Sequence, residues 1–242
     1  MTNKLNIHLI KLKQIAHLVD PISINQQIKL VKDISHYNNK GTLDLLEFLI
    51  ERRIKSKTPL SYIDGILFKH LYKSKSEEIQ KFINENFCRG IVDLNSSFGI
   101  DYLPLQNVLL SNNFKSANKY TQMYLCQLAG LNKNNDRKWL YFTDIINLPS
   151  EDLNTIDKLW TIYSEGKFGF SIQRQIWLSN NKNWEQLWYR IGWKINNTAI
   201  RYPNEFIWDN TAPLGHLPLF NQLRGVQVLY SLFKHPVWET YK

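Results

Sequence analysis

Apolar residues recur at three- and four-residue steps through the first 85 positions, and no stretch there alternates as a strand would. Ile24, Ile28, Val31 and Ile34 form one such stripe. It predicts a helix from near Ser23, where Gln26 completes a capping box, to about Tyr37. Asn38-Asn39-Lys40-Gly41 reads as a turn, and Leu45, Leu46, Leu49 and Ile50 stripe the next helix, expected to end between Ser56 and Pro59. Two shorter helices are expected around Tyr62–Leu71 and Glu77–Phe87. Such antiparallel helices with short links suggest a small bundle or stacked solenoid repeats.

The helical period lapses over Arg89–Ile100, which places a domain boundary there, with 1–88 as the first domain and 89–242 as the second. Beyond it, Asp101–Leu110 and Phe114–Ala129 read as a helical hairpin stopped by Gly130. Tyr120, Met123, Tyr124, Gln127 and Leu128 give its second helix an apolar face with polar breaks. A polar loop, Asn132–Lys138, precedes Trp139-Leu140-Tyr141-Phe142 and a short helix capped by Thr143. Pro149-Ser150 opens a longer helix whose first turn holds Glu151 and Asp152, where the helix dipole favours acids.

That helix runs into the stretch Leu159–Ser179, where aromatic residues crowd a corner: Trp160, Tyr163, Phe168, Phe170 and Trp177. Gly166 suits the left-handed residue that ends one helix, and Ser171 is read as the cap of the next. A further helix follows from Asn183 to Gly192. Residues 193–221 are long, irregular and aromatic, with Pro203, Pro213 and Pro218; an extended connection of that kind is usually functional. A last helix spans about Gln222–Phe233. Strand signals are absent, so the fold class is all-α: a small repeat-like helical bundle, then a larger all-helical domain with a long aromatic loop.

Charge and composition narrow the function classes. The net charge of +9 is spread along the chain, with fourteen basic against nine acidic residues up to position 85 and sixteen against twelve beyond. No basic arm results, and the excess is a weak footprint for anions. Hydrophobic content of 43% with no apolar run near a membrane-spanning length fits a globular chain. The first eighteen residues lack a secretory core and are not an Arg- and Ser-rich import leader, so the protein is expected to work where it is made. Cys88 and Cys126 stand far apart and are read as buried small hydrophobes in a reducing compartment.

Catalytic and metal motifs are missing. There is no phosphate-cradling glycine loop, no serine or cysteine nucleophile motif, and no paired-histidine motif. His8, His17, His36 and His70 share no ligand spacing, and His216 in Gly-His-Leu-Pro is read as a hydrogen-bonded loop histidine ahead of an axial metal ligand. The spacing of Asp152 and Asp157 points them apart on their helix. What the second domain does hold is a high density of Trp, Tyr and Phe on irregular segments with a few arginines. That composition suits a large flat ligand or a stacking platform for single-stranded nucleic acid.

Several motifs occur in order: Trp139-Leu140-Tyr141-Phe142-Thr143, Tyr163-Ser164-Glu165-Gly166-Lys167-Phe168-Gly169-Phe170-Ser171, Arg201-Tyr202-Pro203, Gly215-His216-Leu217-Pro218, Asn221-Gln222-Leu223-Arg224-Gly225-Val226 and His235-Pro236-Val237-Trp238-Glu239. Together they resemble the genomes-uncoupled-four family over roughly residues 90–240. The first domain is similar to the one that cyanobacterial and plastid-encoded members carry. The resemblance implies a non-catalytic porphyrin-binding regulator that takes protoporphyrin IX or Mg-protoporphyrin IX. It implies stimulation of magnesium chelatase together with the large porphyrin-carrying subunit of that enzyme. A monomer in the plastid stroma is implied, partly associated with membranes at their surface, with no nucleic acid partner.

By the same resemblance the porphyrin cup is lined by Phe142 and by Tyr202, Phe206, Trp208 and Leu217 of the long loop, with Trp139 and Met123 beside them. Arg224 matches an arginine that meets a propionate. A second basic residue is expected one turn on, and this chain departs from that pattern with Gln227. Trp160, Phe168 and Phe170 are expected to hold the fold. On residues alone two other classes stay open: a helical module that binds single-stranded nucleic acid, and an adaptor that binds only protein.

Overall fold

The computed structural model describes residues 2–131, 137–219 and 226–241 of the chain. It divides into two compact units, Met1–Asp93 and Leu94–Lys242. Among the described residues no helix is long and apolar enough to cross a membrane.

The first unit is a stack of helices: α1 (Thr2–Ile15), α2 (Pro21–Ser35), α3 (Asn38–Ile50), α4 (Tyr62–Tyr72) and α5 (Glu77–Asn86). α2, α3 and α4 pack on one another, with α1 against α2 and α5 against α4. α2 starts three residues earlier than its apolar stripe suggests. Asp20 is its cap, its Oδ1 accepting from the Ile22 and Ser23 amides, and Pro21 takes the first helical position. The turn expected at 38–41 is not there: Asn38 (φ 58°) begins α3, and the break between α2 and α3 falls at His36 and Tyr37. Gly41 is a contact residue within that helix: a Cβ there would lie 1.9 Å from the Ile34 carbonyl oxygen. α3 continues through a π turn, Glu51–Lys55, that delivers Arg52 to Asp64. Arg52 donates from Nε to Oδ1 at 2.6 Å and from Nη2 to Oδ2 at 3.1 Å, while Asp64 is fully buried and also caps α4.

The second unit holds α6 (Leu103–Leu110), α7 (Phe114–Leu128), α8 (Phe142–Ile146), α9 (Ser150–Tyr163), α10 (Phe170–Ser179), α11 (Trp184–Arg190), α12 (Val226–Lys234) and α13 (Val237–Thr240). Its core gathers Phe114, Trp160, Tyr163, Phe168 and Phe170, each fully enclosed. The Trp160 indole N–H is satisfied by the Thr121 hydroxyl at 2.9 Å. The first-turn acids of α9 clamp the entry to the unit: Asp152 accepts from Ser96, from the Ser97 amide and from the Tyr102 hydroxyl, and Glu151 accepts from Ser97.

Four expectations are corrected. The chain is not strand-free, since Lys194–Ile195 (β1) pairs antiparallel with Thr198–Ala199 (β2) around Asn196 and Asn197, both at positive φ. An Asn-Asn pair between short β-favouring residues is a hairpin signal, outweighed in the reading by the surrounding loop. Thr143 does not cap α8; the Tyr141 amide donates to Asp144 at 2.6 Å instead. Ser171 does not cap α10 either. Asp157, reaching across from α9, accepts from the Ser171 amide at 2.9 Å, and Gly169 (φ 144°) takes the cap position. Cys88 is exposed, while Cys126 is buried as expected.

Candidate functional site

Two of the marked motifs meet at the corner between α9 and α10. The Gly169 amide donates to the Leu217 carbonyl at 3.0 Å, and the Gly215 amide donates to Lys167 at 2.9 Å. Gln173, enclosed on α10, sends its amide to the carbonyls of Gly215 and Pro218, both at 2.9 Å. Gly169 is required for this approach, because a Cβ would sit 2.6 Å from Thr161 Cγ2 and 3.0 Å from Asp157 Oδ1. The irregular connection is thus pinned where it crosses the corner. One residue later the Leu219 amide donates to Asn118 on α7 at 2.7 Å.

His216 is held on three sides. Its Nδ1–H donates to the Ile191 carbonyl, its Nε2 accepts from the Ile207 amide at 3.1 Å, and its own carbonyl accepts from the Trp193 indole at 2.8 Å. Burial pushes the imidazole below its usual range, so the neutral ring with the proton on Nδ1 is the stable form. With its Nε2 lone pair engaged, it serves as the expected hydrogen-bonded loop histidine. Among the described residues no cluster of side chains could hold a metal ion.

The expected site residues fall into separate groups. Tyr202, Phe206 and Trp208 form one aromatic cluster, with ring centroids 5.8–6.2 Å apart, resting on Trp193 and His216. Within it Phe206 is buried, Trp208 is half-buried with its indole donating to Pro203, and Tyr202 is exposed. Leu217, expected on the cup wall, is fully enclosed at the corner, because its backbone pairing with Gly169 turns it into the core.

Phe142 and Gln227 lie elsewhere, on α8 and α12, which pack closely on each other. Phe142 opens α8 and is 48% exposed, and Gln227 is exposed in the first turn of α12. Met123, 49% exposed, belongs to α7. The neighbouring Gln122 donates to the Lys138 carbonyl and so ties α7 to the strap before α8. Half-buried Trp139 sits on that strap, which Arg137 fastens through Asp144 (2.7 and 3.3 Å) while lying 4.5 Å over the Tyr141 ring. Among the described residues no ring contact joins Phe142 to the Tyr202 cluster. Arg224 lies outside the described residues.

Further exposed residues on and beside α8 and α12 were missed in the sequence. Ile146 is 62% exposed beside fully buried Ile145, and Tyr141 and Tyr230 are also exposed. A five-residue helix with two adjacent isoleucines must turn one of them outward, and that signal was available. Met123 on α7, Phe142 and Ile146 on α8 and Tyr230 on α12 are thus exposed side chains with apolar surface, of the kind a broad flat ligand can cover.

Fold and site define a predominantly helical protein of two units, the second carrying exposed apolar side chains on α7, α8 and α12 and a pinned aromatic connection. Residues 95–236 match the GUN4-like family, and residues 9–88 match the ARM-like repeat domain of the GUN4 N-terminus. The chain belongs to the GUN4-like family. It is 45% identical over 241 residues to the protein named ycf53 of Porphyra purpurea, covering the whole of both chains. A chloroplastic protein of Arabidopsis thaliana named tetrapyrrole-binding is 37% identical, over 56% of this chain and 54% of its own length. The solved structure of GUN4 from Chlamydomonas reinhardtii superposes with a TM-score of 0.56 at 38% identity, covering 61% of this chain and 94% of that one.

Proposed function

We propose that the chain binds a cyclic tetrapyrrole, protoporphyrin IX or its magnesium complex, on the α7–α8–α12 face and acts as a non-catalytic stimulator of magnesium chelatase in the plastid. The observation that carries the reading is the half-exposed apolar set Met123, Phe142 and Ile146 in a chain of this family. A macrocycle has two apolar faces that these side chains can cover, and its propionates call for cations at the rim. Arg224 is assigned to one propionate through its match to the family motif. Gln227 can give a carboxylate one neutral hydrogen bond, weaker than a second arginine would supply. Trp139 completes the strap side, and Tyr202, Phe206 and Trp208 act as the scaffold of the connection leading to Arg224. The partner is the large porphyrin-carrying subunit of the chelatase, met by a monomer in the stroma or at the membrane surface.

The test is a titration followed by the Soret band of the porphyrin. Wild type should bind saturably. Phe142→Ala should weaken binding roughly three- to tenfold, since a phenyl group half covered by ligand contributes about half of a full burial of 1.5–3 kcal/mol. Arg224→Ala should lose roughly 3- to 100-fold, as a hydrogen bond to a charged group contributes about 1.5–3 kcal/mol, and less where solvent screens it. The dimethyl ester should bind wild type and Arg224→Ala alike. An equal preference for the free acid over the ester in both proteins would remove Arg224 as anchor. Salt-sensitive binding to single strands without porphyrin binding would return the chain to the stacking-platform class.

A further inference from the structure

Two histidines of the first unit that share no ligand spacing in sequence, His8 and His36, line one open cavity of about 810 Å³. It lies where the first turns of α1 meet the end of α2 and the start of α3. Lys4 and Lys40 supply two cations to its wall, Asp33 a single carboxylate, and Leu5, Ile7 and Tyr37 its apolar portion. Neither lysine forms an ion pair within 4 Å among the described residues. His8 Nδ1 is buried with no hydrogen-bond partner, and its ring stands edge-on to Tyr37 at 6.2 Å.

Two further observations bear on the charge of a ligand that would fit. The first amides of α3, which opens at the cavity rim, receive no side-chain cap, so the positive end of that helix is unscreened. Asp33 is one carboxylate against two lysines and a helix end.

We propose that this cavity binds a small organic phosphate, its phosphoryl group held by Lys4, Lys40 and the imidazoles, its apolar body on Leu5, Ile7 and Tyr37. The site lies wholly within the first unit and is independent of the tetrapyrrole reading. Phenyl phosphate has both halves of the proposed ligand, inorganic phosphate only the anionic half, and phenol only the ring.

Imidazole resonances of the full-length protein, followed by ¹H–¹⁵N NMR during titration with each probe, provide the test. Phenyl phosphate should move His8 and His36 saturably and leave His17, His216 and His235 in place. Inorganic phosphate should bind more weakly, and phenol should not bind. The double variant Lys4→Gln/Lys40→Gln, altering two solvent-exposed positions, should weaken phenyl phosphate by about tenfold or more and bind porphyrin as wild type does. The proposal is overturned if His8 and His36 do not move, if all six imidazoles drift together without saturation, if phenol binds as well as phenyl phosphate, or if the double variant binds as wild type does.

Discussion

Buried ionisable side chains set how this protein should answer pH. His216 and His235 are each held neutral by burial, the latter donating from Nε2 to Leu148 and accepting the Val237 amide at Nδ1. The unfolded chain takes up protons at both once pH falls below about 6.5, so stability is lost from that point downward. Asp157 acts in the opposite sense. Burial pushes its carboxyl up to about 6 against the hydrogen bonds from Ser171 and Phe170, so between there and 3.8 the folded state holds the extra proton and gains stability as pH falls. Wild type should therefore show a flat thermal midpoint above pH 7 and a decline below about 6.5, softened by Asp157. Asp157→Asn removes the counterweight, and its midpoint should fall more steeply between pH 6.5 and 5. Melting curves of the two proteins across that range decide it; a shallower decline in the variant would refute this account of Asp157.

Helices are the scale at which the sequence was most legible, and their ends the scale at which it was least. Stripes such as Leu45-Leu46-Leu49 located the helix bodies, because one buried face imposes the 3.6-residue period directly. Capping by Asp157 could not be read, since the carboxylate comes from the preceding helix and meets its amides only after the corner has closed. Asp20-Pro21 could have been read, but the stripe from Ile24 drew the boundary inward. The same division runs through the candidate site. Phe142 and Met123 are exposed, whereas Phe206 and Leu217 are buried. Composition says that a loop is aromatic, and only its backbone pairing says which rings face out. The corner gives a sharp check at this scale. Gly169→Ala brings a Cβ to 2.6 Å from Thr161 in a conformation that side chains rarely adopt. It should cost about 1–3 kcal/mol in chemical denaturation, seen as a lower midpoint with an unchanged slope.

At the scale of the whole chain, the two units have separate cores and separate family matches, at 9–88 and 95–236. Every residue assigned to the tetrapyrrole lies in the second. A chain cut to residues 94–242 should bind protoporphyrin IX within about threefold of full-length protein, a difference below 1 kcal/mol. Soret titration of the two forms side by side measures this. A folded fragment that no longer binds would give the first unit a part in the site.

The ring contacts around α10 and α11 have an optical consequence. Trp177, Trp184, Trp188 and Trp193 follow one another at centroid separations of 5.1, 5.5 and 5.4 Å, half of the chain's eight tryptophans. Indoles this close couple their transition dipoles and pass excitation among themselves faster than they emit. Emission from any of them therefore reports on the group, and an acceptor chromophore bound to the second unit would drain all four together. The same coupling should give a strong exciton couplet in circular dichroism, vanishing as soon as the rings lose register. That couplet is the signal by which a variant with an altered binding face can be told from one with a loosened core.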